Sequence, residues 1–385
     1  MKRPATGLST RAIHGTRTPP NVGDPVASPV YQSATFLNPI GSAKNLLYTR
    51  YGNNPNQIAL GEKLAALEGA EDAVFLASGM GATSLSLMSV LSAGDHLISS
   101  NWIYGGTRKL LVEEFQRLGI AVSFADPTRP DGWKRHIKRT TRAVFVETPT
   151  NPQIRLIDLD PIAELCNSKG LHLLVDSSIA SPINFRPLEH GADMVIHSVT
   201  KYLNGHADVI AGAVAASRKV ISRVRELLKM WGQAIDPHAA WLIERALKTL
   251  AVRVPRHNSN AQEFAEWACE HPKISNVVYP GLDSHPDHGL AARILDGYGG
   301  LVGVTVKGGT RAANKLLRKL RLATHAPSFG GTETLVSVPR FTSHAGQTKK
   351  QLRDAGIPEG YLRISIGIEE VQDIIFDFAR ALDSV

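Results

Sequence analysis

Residues 171–212 read LHLLVDSSIASPINFRPLEHGADMVIHSVTKYLNGHADVIAG and predict two buried strands, each followed by polar side chains. The apolar runs LHLLVD and MVIHS are short and contain β-branched residues, which is typical of strands in a parallel sheet. Asp176 ends the first run, while Ser198, Thr200 and Lys201 follow the second. Because ligands bind at the carboxyl ends of strands in open parallel sheets, we expect these four side chains to converge at one edge.

This set of one carboxylate, two hydroxyls and one lysine suits pyridoxal phosphate. The lysine can form a Schiff base with the aldehyde of the cofactor, the carboxylate can pair with the pyridinium nitrogen, and the hydroxyls can hold the phosphate. Taken alone, Lys201 could be a solvated surface residue and Asp176 a helix cap, because both roles are common for these residue types. The combination favours a functional site.

The composition is that of a globular protein of enzyme size and excludes a disordered chain. Of the 385 residues, 43% are hydrophobic and 20% are charged. This length exceeds what one hydrophobic core usually organises, so at least two subdomains are expected. The net charge of +8 comes from scattered basic residues without interleaved aromatic residues. It predicts a solvated basic surface that attracts anionic substrates, and no nucleic-acid partner.

The two cysteines, Cys166 and Cys269, are isolated in the sequence. They provide neither a disulfide framework nor the spacing of metal ligands, which favours a reducing cytoplasm and a protein without a metal site. The first residues, MKRPATGLSTRAIHG, lack the apolar core of a secretory signal. No run of about 18 apolar residues predicts a membrane span.

Three regions follow one another along the chain. Residues 1–57 are rich in Pro, Gly, Asn and Thr, and predict an irregular arm that contributes to a neighbouring subunit. Residues 58–255 alternate short apolar runs with helical patterns, as in a doubly wound α/β domain. Residues 256–385 predict a smaller α+β domain, after a long helical region from about His238 to Glu270 that we expect to break at Pro255.

A glycine-containing turn early in the α/β region predicts a phosphate site. The run from Ala73 to Ala77 predicts a strand, and Ser78, Gly79, Met80 and Gly81 predict a tight turn before a helix. The first turn of a helix presents free backbone N–H groups and a positive dipole end to an anion. Such turns are also common as purely structural features, so this signal is weak by itself.

Seven stretches, in a fixed order, resemble the Cys/Met-metabolism family of pyridoxal-phosphate enzymes. They read YTRYGNNPN, LEGAEDAVFLASGMGA, YGGT, ETPTNP, ADMVIHSVTKYLNGHADVIAG, THAPSFGGTETL and YLRISIGIE, and they cover nearly the whole chain. This family includes cystathionine γ-synthase, cystathionine γ-lyase, cystathionine β-lyase and methionine γ-lyase. The resemblance implies the aminotransferase-like fold of fold type I, with a mostly parallel sheet in the large domain and a smaller C-terminal α+β domain.

The resemblance also implies roles for residues around the cofactor. Lys201 would carry pyridoxal 5'-phosphate as a Schiff base and move protons, Asp176 would keep the ring nitrogen protonated, and Tyr104 would stack on the ring. These three are the expected catalytic residues. The phosphate would be bound by Gly79, Met80, Ser198 and Thr200, and by Tyr48 and Arg50 of a neighbouring subunit.

Three further residues would bind the substrate. Arg363 would hold the α-carboxylate in a fork that lysine cannot imitate, and Asn151 and Ser328 would complete that pocket. The shared site implies a homotetramer, a dimer of dimers. Arg363 lies between Leu362 and Ile364 in an otherwise apolar stretch, which favours a functional role over that of an exposed strand residue.

The sequence departs from the family pattern at three places. Ser177, Ser178 and Ile179 follow Asp176 where many relatives have Asn, Thr and an aromatic residue. Pro327 stands where several cystathionine-processing relatives have a glutamate that meets the distal amine of the substrate. Gly106 stands where methionine γ-lyases typically have a cysteine. The Ala-Pro-Ser-Phe stretch at residues 326–329 looks more like that of plant-type cystathionine γ-synthases.

These features favour γ-replacement on an O-acyl-homoserine with cysteine, as in cystathionine γ-synthases. The alternatives that stay open are elimination from cystathionine or methionine, as in the γ- and β-lyases, and a binding protein that kept the fold without the chemistry.

Overall fold

The computed structural model describes residues 6–15, 21–42, 44, 46–129, 131–342, 348, 350, 352 and 356–385. The chain divides into two compact units, each made of several segments. The first unit holds the described parts of Met1–Asn101, Lys109–Val146 and Asp158–Ala251. The second unit holds Trp102–Arg108, Glu147–Ile157 and the described parts of Val252–Val385. The boundaries predicted at residues 57 and 255 stay predictions.

The first unit is built on a seven-stranded sheet. Its strands in sheet order are β1 (Asp72–Leu76), β7 (Gly212–Ala216), β6 (Met194–Ser198), β5 (His172–Asp176), β4 (Thr141–Glu147), β2 (His96–Ser100) and β3 (Ala121–Ala125). The pairs β2–β3, β2–β4 and β5–β6 are parallel, and β7 is antiparallel to both β1 and β6. The sheet is therefore mostly parallel, as predicted.

Helices and turns connect these strands. The α-helices of this part of the chain are α1 (Leu8–His14), α2 (Pro55–Glu68), α3 (Gly79–Val90), α5 (Asp160–Lys169), α6 (Ser181–Asn184), α7 (Arg218–Trp231) and α8 (Pro237–Leu247). Short 3-10 helices lie at Thr49–Tyr51, Lys134–His136 and Pro187–His190, and a π-helix at Leu110–Phe115. Except for the edge strand β3, the strands of the sheet are largely buried, as expected for a sheet covered on both faces.

The second unit contains a five-stranded sheet. Its strands in sheet order are β10 (Thr324–His325), β11 (Leu335–Ser337), β12 (Tyr361–Ser365), β9 (Leu301–Val306) and β8 (Ile274–Val278). The accompanying helices are α4 (Gly105–Lys109), α9 (Leu250–Glu270), α10 (His288–Ile294), α11 (Gly309–Leu317) and α12 (Val371–Asp383), with a 3-10 helix at Pro339–Phe341. Phe264 of α9 and Phe378 of α12 pack edge to face in its core, with centroids 5.0 Å apart. This is the predicted α+β arrangement.

The prediction of a helix break at Pro255 is wrong. The helical region breaks at Lys248 and Thr249, where the Thr249 N–H bonds to Ala246 O, and Pro255 lies inside α9. A proline in a helix interior costs about 3 kcal/mol. Helix α9 buries Phe264 completely together with several alanines, and burial of one such side chain contributes about 1.5–3 kcal/mol. Packing therefore outweighs the local preference. Among the described residues, no helix combines the length and apolar character that a bilayer crossing requires.

Candidate active site

Most of the predicted site residues of the first unit lie at the carboxyl ends of strands β5 and β6, directly after β6, and at the start of helix α3. Strand register places Asp176 opposite Ile196, so the carboxylate and Ser198 lie at the same end of neighbouring strands. Thr200 and Lys201 follow in a turn in which the Lys201 N–H bonds to Ser198 O at 3.1 Å. We call the following residues the strand-end cluster: Gly79, Met80, Asp176, Ser198, Thr200 and Lys201.

Ser178 joins the two strand ends, although the sequence analysis gave it no role. Its hydroxyl donates to Asp176 Oδ1 at 2.6 Å and accepts the Ser198 N–H at 2.6 Å. The Ser178 N–H also donates to Asp176 Oδ1, at 3.0 Å. Short polar side chains that bond to backbone two residues away are typical of turns, so the Asp-Ser-Ser sequence carried a signal for this turn. The result is that one hydroxyl fixes both the carboxylate and the backbone of Ser198.

Burial sets the electrostatics of Asp176. Loss of solvent raises the pKa of its carboxyl group, while the hydrogen bonds from Ser178 and the charge of His197 act in the opposite direction. His197 itself is buried and forms a hydrogen bond with the equally buried Glu68, with 2.6 Å between Nε2 and Oε1. Sequence reasoning missed this pair, because nothing in the apolar run MVIHS indicates a buried partner.

The start of helix α3 has the shape of an anion cradle. A Cβ atom added at Gly79 would lie 2.8 Å from Ser198 Oγ and 2.9 Å from Ser198 Cβ, so the helix start lies directly against strand β6. The N–H groups of a first helical turn have no acceptor within the helix. Ser78 Oγ accepts one of them, from Gly81 at 3.0 Å. The N–H groups of Gly79 and Met80 and the Ser198 hydroxyl therefore form a donor set that fits the phosphate of pyridoxal phosphate.

Thr200 has a structural contact that the sequence did not predict. Its hydroxyl donates to Ala211 O at 3.2 Å and accepts the Ala211 N–H at 3.0 Å, which ties the loop 201–211 to the start of strand β7. A hydroxyl has one donor, so donation from Thr200 to a phosphate requires it to leave Ala211 O. Its predicted contact to the phosphate stays a prediction.

Tyr48 and Arg50 lie at the 3-10 turn of the N-terminal region, in the first unit. The Arg50 guanidinium lies 5.5 Å from the Tyr48 ring centroid and 5.0 Å from that of Tyr51, and it donates to Lys229 O. The Arg50 side chain is exposed, and the Tyr48 N–H is bound by Asn53 Oδ1 at 2.9 Å. Their predicted role at the site of a neighbouring subunit stays a prediction.

The predicted substrate-binding residues of the second unit come together around Arg363. This residue lies on β12 and is only 5% exposed. Its Nη1 donates to Asn151 Oδ1 at 2.7 Å, and its Nη2 donates to Ser328 O at 2.8 Å. The guanidinium also lies 5.3 Å from the Phe329 ring centroid. A desolvated guanidinium that is oriented in this way can bind a carboxylate with two parallel hydrogen bonds.

Ser328 adopts a backbone conformation that side chains rarely take. Its φ is +92°, in the region that favours glycine. This conformation belongs to the residue whose carbonyl oxygen accepts the Arg363 hydrogen bond. Pro327 before it and Glu333 after it are both exposed.

Glu147 connects two of the predicted residues, although the sequence analysis gave it no role. Its Oε2 accepts the Tyr104 N–H at 2.6 Å, and its Oε1 accepts the Asn151 N–H at 3.1 Å. The Tyr104 ring is 42% exposed and lies over Gly106, where a Cβ atom would be 2.5 Å from Tyr104 Cε1. We call Tyr104, Glu147, Asn151, Ser328 and Arg363 the clamp cluster.

The family profile described as Cys/Met metabolism PLP-dependent enzyme matches residues 9–383 of this chain. The chain belongs to this family. Its relatives include the L-methionine gamma-lyase of Fusobacterium nucleatum subsp. polymorphum, 40% identical over the full length of both proteins. The cystathionine beta-lyase of Lactococcus lactis subsp. cremoris is 35% identical over 98% of this chain and 99% of its own. Cystathionine gamma-synthase 1, chloroplastic, of Arabidopsis thaliana is 38% identical over 88% of this chain and 60% of its own length.

A solved structure agrees with these sequence relatives. The crystal structure of metB from Corynebacterium glutamicum superposes with a TM-score of 0.92 at 37% identity and covers 98% of both chains. The predicted fold class, the pyridoxal phosphate cofactor and enzymatic activity in sulfur amino-acid metabolism are thus confirmed. The alternative of a binding protein without chemistry is set aside.

Proposed function

We propose that this enzyme replaces the γ-substituent of an O-acyl-homoserine with the thiol of cysteine, as a cystathionine γ-synthase does. The observation that carries the proposal is the contact between Tyr104 and Gly106. A Cβ atom at residue 106 would lie 2.5 Å from Tyr104 Cε1, so a side chain there requires the tyrosine ring to move. Methionine γ-lyases typically have a cysteine at this position. Pro327 supports the same choice, because it brings no carboxylate to meet a distal amine.

Different residues of the chain have separate roles in this reaction. Bound pyridoxal phosphate supplies an electron-accepting ring that makes the Cα and Cβ protons of the amino acid acidic. The Lys201 amine would hold the cofactor through its aldehyde and would take up and return those protons, and Asp176 would hold the proton on the ring nitrogen. Gly79, Met80 and Ser198 would bind the phosphate. Arg363 would bind the α-carboxylate through its planar guanidinium.

The second candidate is elimination from methionine, which the 40% identity to the Fusobacterium lyase favours. Purified enzyme with O-acyl-homoserine and cysteine, and with methionine or cystathionine alone, separates the two candidates. We expect cystathionine as the main product of the first mixture, identified by mass spectrometry. If methionine alone yields a keto acid and ammonia faster than the first mixture yields cystathionine, the proposal is wrong.

We further propose a homotetramer in which Tyr48 and Arg50 complete the site of a neighbouring subunit. Support comes from the N-terminal arm, where Val22, Leu37 and Ile40 are fully exposed although their side chains are apolar. Co-refolding of a Lys201→Ala variant with a Tyr48→Phe, Arg50→Ala variant tests this. Random pairing of shared sites should restore about a quarter of the wild-type activity. Mixtures as inactive as each parent would contradict the shared site.

A further inference from the structure

We infer that Glu147 is a positioning residue that sets the affinity for the substrate α-carboxylate by holding the clamp cluster in place. This inference rests on the proposed role of Arg363. Glu147 is only 5% exposed, and its two oxygens accept N–H groups from the remote residue Tyr104 and from Asn151, four residues further along the same loop. A buried carboxylate that accepts hydrogen bonds through both oxygens restrains both donors, because losing either bond leaves a buried charge less well solvated.

The hydrogen-bond chain from Glu147 reaches the guanidinium in two steps. Glu147 Oε1 accepts the Asn151 N–H, and Asn151 Oδ1 accepts a hydrogen bond from Arg363 Nη1 at 2.7 Å. The next residue, Pro152, is fixed separately, since its carbonyl oxygen accepts the buried Tyr361 hydroxyl at 2.7 Å. Residue 151 is thus held through its own N–H by Glu147 and through its neighbour by β12. The Asn151 amide therefore orients the Arg363 guanidinium, and the position of this amide depends on Glu147.

The segment after Asn151 has its own anchor, so loss of Glu147 should act locally. Arg155 forms a two-bond ion pair with Asp287, at 2.6 and 3.0 Å, and its guanidinium lies 4.5 Å from the Trp102 ring centroid. The Leu156 N–H also bonds to Asp287, at 2.9 Å. Replacement of Glu147 therefore leaves the far end of the loop fixed, while the orientation of Asn151 relaxes.

The variant Glu147→Gln tests the inference with two probes. The amide keeps the size of the side chain but presents an NH₂ group to one of the two backbone N–H donors, so one hydrogen bond is lost. We expect the Kd of L-2-aminobutyrate, followed by the visible spectrum of the holoenzyme, to rise about tenfold. Propylamine has the same amine and chain without the carboxylate, and its Kd should change by less than about twofold. Equal weakening of both probes would overturn the inference.

A double-mutant cycle shows whether Glu147 acts through Asn151. In an Asn151→Ala background, Glu147→Gln should weaken binding of L-2-aminobutyrate by no more than about twofold further, because the chain to Arg363 is already broken. Fully additive losses would overturn the inference. The contact between Glu147 and Tyr104 is tested by kcat. The fold reduction of kcat caused by Glu147→Gln should be smaller in a Tyr104→Phe background than in the wild type. An equal reduction would contradict a role of Glu147 in positioning Tyr104.

Asp377 provides a matched structural control in the same unit. Its carboxylate accepts the backbone N–H groups of Arg321, Leu322 and Ala323, at 2.8–3.1 Å, and its side chain is buried like that of Glu147. Asp377→Asn should lower Tm and leave the Kd of both probes unchanged. If Glu147→Gln does not fold, Glu147→Asp keeps both acceptor oxygens, and we expect an intermediate rise of about threefold. An unchanged Kd in that variant would overturn the inference.

The remaining comparison separates failure of the inference from failure of the proposed function. If Arg363→Lys weakens L-2-aminobutyrate binding and Glu147→Gln does not, only the role assigned to Glu147 is wrong. If Arg363→Lys leaves the Kd unchanged, the proposed binding of the α-carboxylate by Arg363 is wrong as well.

Discussion

The strand-end cluster and the clamp cluster are assembled in different ways. Asp176, Ser198 and Lys201 lie within one stretch of the sequence and are placed by the register of two adjacent parallel strands. Arg363, Ser328 and Asn151 come from three remote segments and are placed by direct hydrogen bonds between them. The first cluster depends on the sheet, and the second on its own contacts. We therefore expect changes in the strand-end cluster to affect retention of the cofactor, and changes at Arg363, Ser328 and Asn151 of the clamp cluster to affect binding of the substrate.

The strand-end cluster and the clamp cluster also differ in the charge of their central group. In the strand-end cluster, burial raises the pKa of the Asp176 carboxyl group, so the ionised carboxylate destabilises the folded protein until a cationic partner binds. In the clamp cluster, the Arg363 guanidinium donates hydrogen bonds to the neutral oxygens of Asn151 and Ser328. The charges of the two clusters suit partners of opposite sign: a pyridinium nitrogen at the Asp176 carboxylate and a carboxylate at the Arg363 cation.

The largest expected effect is that of Lys201→Ala, which removes both the cofactor attachment and the proposed base. We expect kcat to fall by at least about 10³-fold, because the loss of a positioned acid–base group alone costs about 10²–10⁴-fold. Borohydride reduction of the wild type, followed by peptide mapping, should place the cofactor on the peptide that contains Lys201. Activity within about tenfold of the wild type would contradict the assignment of the first cluster.

The second effect is that of Arg363→Lys, which belongs to the clamp cluster. Lysine cannot form the planar two-bond fork, and hydrogen bonds to charged groups contribute about 1.5–3 kcal/mol. We expect KM to rise about 10- to 100-fold and the visible spectrum of the cofactor to stay unchanged. Arg256→Lys is the control, because Arg256 lies in the same unit and contacts the exposed carboxylate of Glu370 and the backbone oxygen of Glu369. A spectrum altered by Arg363→Lys would show that the two clusters are not functionally separate.

The third effect is that of Gly79→Ala, which fills the space between helix α3 and strand β6. The added methyl group would lie 2.8 Å from Ser198 Oγ, so either the helix start or Ser198 must shift. We expect the Kd for pyridoxal phosphate to rise about tenfold, with KM for the amino acid changed much less. Gly289→Ala is the control, since nothing lies within 4 Å of its added Cβ atom. If both variants bind pyridoxal phosphate with equal affinity, Gly79 does not contribute to the phosphate site.

The sequence predicted the strand-end cluster more completely than the clamp cluster, for a physical reason. Parallel strands end at one edge of a sheet, so apolar runs that end at Asp176 and Ser198 indicate neighbouring polar groups. Strand β7 was missed, because GAVAA consists of small residues that also suit a helix, and its antiparallel pairing has no local signal. Family resemblance named Arg363 and Asn151. It gave Glu147 no role, because its contact to Tyr104 joins two segments 43 residues apart, and no local pattern encodes their proximity.

The smallest expected effect, on stability alone, is that of Asp176→Asn in the protein without cofactor. Burial raises the pKa of Asp176, so the folded state holds this proton more tightly than the unfolded state, and the stability from this group is lost as the pH rises through the folded pKa. Asparagine keeps an oxygen that can accept both hydrogen bonds from Ser178 and carries no charge. Without cofactor, we expect the free energy of unfolding of the variant to equal that of the wild type, or to exceed it by up to about 1 kcal/mol, at neutral pH. The difference should disappear below a pH of about 4, where the unfolded carboxyl is also protonated.

The same substitution should have the opposite effect once the cofactor is added. The wild type should gain more stability from pyridoxal phosphate than Asp176→Asn does, because only a carboxylate can offset the charge of a protonated ring nitrogen. Urea unfolding at several pH values, with and without cofactor, measures both differences. If the variant without cofactor is instead less stable than the wild type at neutral pH, the carboxylate serves the fold rather than the cofactor. The first cluster would then resemble the second, as a set of groups held by contacts within the chain.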